Sequence, residues 1–262
     1  ILRSLNKMMK NNAGYDWIQW FIGAEGTPGV VTRVVLALHP RPAHIATAVV
    51  AVESTDAAIA LLRRLERRLG GSLLVFEAMW REFYDIATTT MGANAPLPRG
   101  QDLYLLLEAA GDAESTALQD ALEHELTEGG LVDAVVAQSG EERKRLWALR
   151  ESVYEHFRHF GASVGFDVSV PLDRMASAIA AFRSEIVEAF PQAPWVVFGH
   201  LADSNVHVNV HPGATDPATT RAVEKVVYAI TRRFGGSISA EHGIGRTKRD
   251  YLHLSRSEAE LE

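Results

Sequence analysis

The chain has 262 residues, 47% of them hydrophobic, enough to bury a full core as one large domain or as a domain with part of a second. Its formal net charge of −7 argues against nucleic acid and against anionic membrane surfaces as partners. It has no cysteine, which excludes disulfides, zinc thiolates and cysteine nucleophiles, and no apolar run approaches the ~18 residues of a transmembrane segment.

Ile1 is not an initiator methionine and Glu262 falls inside an acidic helical run, so both ends read as cuts in a longer protein. No signal peptide is legible, and a cytoplasmic location is the default expectation. The loop GAEGTPG, residues 23–29, is followed by VVTRVVLALHP, a β-branched apolar run that predicts a strand ending before Pro40. A glycine loop that leads into a strand lacks the helix N-terminus that cradles phosphate, so the residues by themselves predict a tight turn.

From residue 43 strands and helices alternate. Residues 46–52 and 73–79 predict strands around a helix that Ser54, Thr55 or Asp56 can cap and that Gly70 and Gly71 stop. Residues 80–90 predict a helix, 93–100 a loop, 102–109 a strand, 115–128 an amphipathic helix and 131–138 a further strand. This order predicts the α+β class, a ferredoxin-like antiparallel sheet of split βαβ type covered by helices.

Ser139 and Glu142 form a capping box that opens one long helix to about Phe160, with Leu146, Leu149, Val153 and Phe157 as its apolar stripe. Arg150 lies off the centre of that stripe and is most simply a solvated residue. FDVSVP, residues 166–171, predicts a strand, and Asp173 caps a helix whose Met175, Ile179, Phe182 and Ile186 repeat at core spacing. Asp216 and Pro217 open the last long helix, which Gly235 and Gly236 stop. No internal repeat or long linker is evident.

The chemistry-bearing residues concentrate in GHLADSNVHVNV, 199–210, and SISAEHGIG, 237–245. Alternation along a strand puts His207 and Asn209 on one face and Val206, Val208 and Val210 on the other. The polar run 202–205 supplies a turn that can bring His200 back beside His207, and Gly243 and Gly245 free the backbone after Glu241 and His242. Two imidazoles and a carboxylate suit a divalent ion such as zinc, manganese or iron, with positions left open for a substrate. The spacing matches neither HExxH nor a closed Cys/His framework.

Together with LWALRES, 146–152, and FDVSVP, these stretches resemble, in order and position, the C-terminal catalytic half of the FAD-linked oxidases of the D-2-hydroxy-acid dehydrogenase group. That group includes D-lactate, glycolate and D-2-hydroxyglutarate dehydrogenases. The resemblance implies that residues 1–42 are the tail of an FAD-binding domain. Residues 43–262 would then be the C-terminal domain for substrate and metal, truncated at its end. It implies His200, His207 and Glu241 as ligands of a divalent metal, zinc or manganese. It further implies Arg150, Asn209 and Tyr154 as substrate-binding residues and His242 as the base. Gly23, Glu25, Gly26 and Gly29 would lie beside the flavin's diphosphate and adenosine portion, with Pro28 departing from the more usual Leu, and Asn205 would join them as cofactor-binding. The implied reaction oxidises a D-2-hydroxy acid to the 2-oxo acid, the C2 hydride passing to FAD. The electron acceptor stays open, and a homodimer follows only by analogy. Without the main pyrophosphate loop, the isolated chain is expected neither to hold FAD tightly nor to turn over.

Several positions depart from the family's pattern. Ala202 and Ser204 replace two glycines of GHLGDGN and are expected to restrict that turn. Members acting on dicarboxylates carry a hydroxyl about one helical turn after the arginine and a lysine two residues before the DVS motif. Here those places hold Tyr154 and Gly165. Losing the lysine predicts a substrate with a neutral or shorter tail. The alternatives are a flavin-independent metalloenzyme, hydrolase or oxygenase, on the same two histidines and carboxylate, or a catalytically silent fragment. His211 and His253 read as ordinary hydrogen-bonded histidines.

Overall fold

The computed structural model describes residues 5–90, 92–112 and 115–262; residues 1–4 of the expected N-terminal segment and the side chain of Phe157 lie outside the described set. Residues 5–43 hold one short helix, α1 (Ile18–Phe21). The run 30–40, expected as a strand, is not one: Val30, Val31, Val34, Leu36 and Leu38 are exposed and the run joins no sheet. Its β propensity finds no neighbouring strand here, and propensity without pairing does not make one.

The ferredoxin-like expectation holds from residue 44 onward. Strands β1 (His44–Val52), β2 (Leu73–Trp80), β3 (Leu103–Gly111) and β4 (Asp133–Val136) alternate with α2 (Thr55–Leu69), α3 (Arg81–Asp85) and α4 (Ala117–Thr127). They pair antiparallel in the order β4-β1-β3-β2, the split βαβ arrangement. After α5 (Gly140–Glu151) and α6 (Val153–Phe160), the elements β5 (Val164–Ser169), α7 (Leu172–Ala189), β6 (Trp195–His200), β7 (Asn205–Val210) and α8 (Pro217–Arg233) follow. The order β6-β7-β5 repeats the first three strands of the same arrangement. The chain leaving α8 runs back beside β5, where Ser169 and Ser237 exchange backbone hydrogen bonds and Ala240 N–H donates to Asp167 O. Antiparallel pairing of β2 with β6 joins the two halves into one seven-stranded sheet. The duplication is topological and left no repeat in the sequence.

Alternation along the strands sorts the side chains onto two faces. One face packs Trp80, Leu105, Val197 and Val208 under α2, α4, α7 and α8 in a large apolar core. On the other, Tyr104 and Phe198 of the sheet pack against Phe83 and Tyr84 of α3 and Leu149 of α5. Burying each such side chain contributes about 1.5–3 kcal/mol before entropy is counted. Over β6, β7 and β5 this second face turns polar, and the candidate site lies there.

Two helices differ from expectation. The helix over 80–90 is α3 continued by a π turn at Ile86–Thr90, where the Thr88 and Thr89 hydroxyls donate back to the carbonyls of Tyr84 and Asp85. The single helix 139–160 breaks at Ser152, whose N–H bonds the Leu149 carbonyl in a tighter turn before α6 begins. Ser139 caps α5 as expected by accepting from Glu142 N–H.

Candidate active site

The sheet registers build the site. Glu77 of β2 stands opposite His200 of β6, His207 of β7 lies between Phe198 and Asp167, and Asn209 between Val196 and Gly165. These polar side chains share one face, while Val206, Val208 and Val210 enter the core on the other. Between β6 and β7 the chain reverses through a 3-10 turn, Leu201–Asp203, and through Ser204, which takes the left-handed conformation at φ 61°. Ser204 thus adopts the geometry a glycine would take freely, and the turn forms despite the substitution. It brings the His200 and His207 rings edge to face at 5.3 Å.

The ligand atoms of His200, His207 and Glu241 lie within 4.8 Å of one another, and His200 Nε2 is 3.8 Å from Glu241 Oε2. Two ligands at ~2.0–2.2 Å from one ion stand at most about 4.4 Å apart, so these three residues are near enough to close on one divalent ion. Burial pushes the His207 imidazole down to about 4, which keeps it neutral and able to coordinate. Asp167, Glu241 and His242 meet the same spacing, with Oδ2 of Asp167 accepting from the Glu241 and His242 amides and its Oδ1 without a hydrogen bond.

Two buried carboxylates that the sequence reading missed hold this cluster. Glu77 Oε1 lies 2.5 Å from His200 Nδ1, which leaves Nε2 facing Glu241, and Glu77 Oε2 accepts from Arg150 Nε at 2.9 Å and from a terminal nitrogen at 2.8 Å. Burial alone would raise the Glu77 pKa; the His200 hydrogen bond and the Arg150 charge outweigh it and hold the carboxyl below its ordinary value. The bond to Glu77 in turn raises His200. Asp167, 2% exposed, accepts from the backbone N–H groups of Glu241 and His242, both at 2.8 Å, and its other oxygen lies 3.8 Å from His207 Nδ1. These bonds outweigh burial and lower its pKa. The signal for both was an acidic residue inside an otherwise apolar strand, LLVFEAMW and FDVSV.

The remaining expected residues divide. His242 stands exposed beside the cluster, its ring roughly parallel to His207 at 6.1 Å and its Nδ1 3.8 Å from Asp167. Arg150 is 8% exposed, not solvated; it lies over the Phe198 ring and directs two nitrogens at Glu77. Asn209 is buried on the site face, and Asn205 is 2% exposed with neither amide atom hydrogen-bonded, an orphaned polar group beside the turn. Tyr154 projects outward on α6, 73% exposed. Gly23, Gly26 and Gly29 lie in an exposed loop, and Glu25 from that loop reaches the Ile244 and Gly245 amides. His211 satisfies its Nδ1 on the Gly161 carbonyl, as an ordinary core histidine does. Cavities of about 520 Å³ by Tyr228 and Tyr251, and 380 Å³ by Leu146 and Pro96, lie away from the cluster, which is an open face of the sheet.

Residues 41–262 match the family model described as FAD linked oxidases, C-terminal domain. Over its whole length the chain is 35% identical to D-2-hydroxyglutarate dehydrogenase of Stutzerimonas stutzeri and 34% identical to the mitochondrial D-2-hydroxyglutarate dehydrogenase of Bos taurus. It spans only 57% and 48% of those proteins, about half the length of the curated relatives it matches. Among solved structures, an alkyldihydroxyacetonephosphate synthase aligns with 94% of this chain and 48% of its own at a TM-score of 0.60 and 13% identity. A substrate-bound p-cresol methylhydroxylase covers 77% of this chain and 46% of its own at 0.54, also at 13% identity. At such identity these likenesses speak to fold alone. Among the described residues no helix is long and apolar enough to cross a membrane.

Proposed function

The chain belongs to the FAD linked oxidases, C-terminal domain, family, and on that premise we propose that it forms the substrate half of a flavin-dependent dehydrogenase that oxidises a D-2-hydroxy acid to the 2-oxo acid. The observation that carries this reading is the convergence of His200, His207, Glu241 and His242 on one end of β6, β7 and β5. When bound, FAD supplies the hydride acceptor, and a divalent ion at His200, His207 and Glu241 makes the substrate hydroxyl more acidic.

The protein's own residues do the rest. His242, with Nδ1 turned to Asp167, offers Nε2 to take the hydroxyl proton as general base. Asp167 fixes the backbone beneath that base, and Glu77 fixes the ring of His200. Asn209 would bind the substrate and Asn205, whose buried amide has no hydrogen-bond partner, the flavin. The proton goes to His242, the C2–H electron pair leaves with the hydride, and the C2–O bond becomes a carbonyl. Residues 1–42 belong, on this reading, to the flavin domain, with 43–262 as the substrate and metal domain.

The tail of the substrate has two readings. The names of the relatives favour D-2-hydroxyglutarate. The residues of this chain favour a neutral or shorter tail, because Arg150 directs two nitrogens at Glu77 and Gly165 offers no cation. The test is the full-length protein mixed anaerobically with D-lactate or D-2-hydroxyglutarate. Bleaching of the oxidised flavin band by either D-acid supports the dehydrogenase, and the kcat/KM ratio of the two acids decides the tail. A yellow protein that neither acid reduces overturns the reading.

A further inference from the structure

The turn that carries Glu241 and His242 is tied down at successive backbone positions. Asp167 takes the N–H groups of residues 241 and 242 from beneath. Ser239 Oγ donates to the Gly243 carbonyl at 2.7 Å and itself accepts from Lys248 Nζ at 2.9 Å. The next two amides go to Glu25, 219 residues away in the chain from Ile244. Its Oε1 accepts from Ile244 N–H and its Oε2 from Gly245 N–H, each at 2.7 Å.

The fit is close on both sides. A Cβ at Gly243 would fall 2.8 Å from Glu25 Oε1, so the turn admits the carboxylate because residue 243 has none. Glu25 itself sits at φ 49°, a left-handed conformation that a residue with a β-carbon holds at a cost. A carboxylate that receives two parallel backbone N–H groups, one per oxygen, is a fork matched to that turn.

We propose that Glu25 is a positioning residue whose carboxylate clasps the Ile244 and Gly245 amides and so fixes Glu241 and His242 where they act. The inference rests on the proposed roles of those two residues as ligand and base. It assigns Glu25 to the catalytic turn rather than to the flavin. Asp167 holds the turn from within the sheet, and Glu25 closes it from the N-terminal segment.

The test uses the full-length flavoprotein with Glu25→Gln and Glu25→Ala. Amide hydrogen exchange over 243–246 is expected to quicken by roughly tenfold or more in Glu25→Ala and by less in Glu25→Gln, which keeps one acceptor. FAD content stays at the wild-type level. A base displaced by a fraction of an ångström lowers kcat about tenfold or more with KM nearly unchanged, and the C2-deuterium isotope effect on kcat rises. Unchanged exchange overturns the clasp, as does a fall in kcat that tracks lost FAD with the isotope effect unaltered. Should the wild-type protein oxidise no D-2-hydroxy acid, the proposed function falls, and exchange together with zinc affinity still decides the clasp. About fivefold weaker zinc binding in Glu25→Ala supports it, and equal binding overturns it.

Discussion

Glu77 and His200 face each other across the β2–β6 pairing, and the carboxylate of one holds the ring of the other at 2.5 Å while also neutralising Arg150. Glu77 comes from the first split βαβ unit and His200 from the second, so the site is assembled across the seam between them. Glu77→Ala leaves a buried guanidinium without its counter-charge, which costs about 3 kcal/mol or more in urea unfolding. It also frees the His200 ring, and zinc affinity in a dye competition is expected to fall roughly 10- to 100-fold. Full stability with full affinity in this variant would sink the assignment.

His207→Ala tests the metal itself. The imidazole is half-buried and neutral, and its donor nitrogen lies within 4.8 Å of the donor atoms of its two partners. Elemental analysis of the zinc-reloaded protein is expected to give about one ion per wild-type chain and close to none in the variant. Equal metal in both proteins would remove the divalent ion from the proposed chemistry.

His156 gives stability a pH dependence of its own. The ring is fully buried beside Phe83, Phe160 and His211, neither nitrogen has a hydrogen-bond partner, and burial pushes its pKa down to about 4. The unfolded chain binds this proton below about 6.5 and the folded chain only below about 4, so stability is full above 6.5 and is lost as the pH falls through that window. His156→Leu has no proton to bind. Its unfolding free energy relative to wild type is expected to rise between pH 7.5 and pH 4.5, and parallel curves would show that His156 is not the group responsible.

Much of this architecture was legible in the sequence, and the two carboxylates missed at the site share a cause. Ser54, Ser139 and Asp216 announced helix starts that the structure confirms, because a cap and its helix are neighbours in the chain. His207 and Asn209 share a face for the same local reason. Glu77 and Asp167 went unread because their roles depend on which strands are neighbours, and β2 meets β6 only across 123 residues of chain between Glu77 and His200. The run 30–40 failed in the opposite sense: its local pattern is that of a strand, but a strand also needs a partner.

Gly199 precedes His200 at a point where backbones touch. A Cβ there would lie 2.5 Å from Asn205 O and 2.8 Å from Val206 Cα, neither of which can swing aside as a side chain would. Gly199→Ala must therefore spread β6 from β7, at a cost of roughly 3 kcal/mol. For a domain of this size that is a fall in Tm of roughly 10 °C by calorimetry. An unchanged Tm would mean that the strands yield more easily than their contacts imply.

Gly165 sits opposite Asn209 on the site face, at the place where the resemblance to members acting on dicarboxylates implies a lysine. Gly165→Lys adds a cation where a distal carboxylate would lie, but its Cβ comes 3.0 Å from Asn209 Oδ1 and Asn209 must yield by a few tenths of an ångström. The two effects separate in kinetics of the full-length protein. The new charge is expected to move the kcat/KM ratio toward D-2-hydroxyglutarate over D-lactate by about tenfold, the worth of one charge-assisted hydrogen bond. Displacement of Asn209 lowers kcat on both acids alike, so it leaves that ratio untouched. A ratio that does not move would place the tail of the substrate away from β5 and remove the argument for a neutral tail.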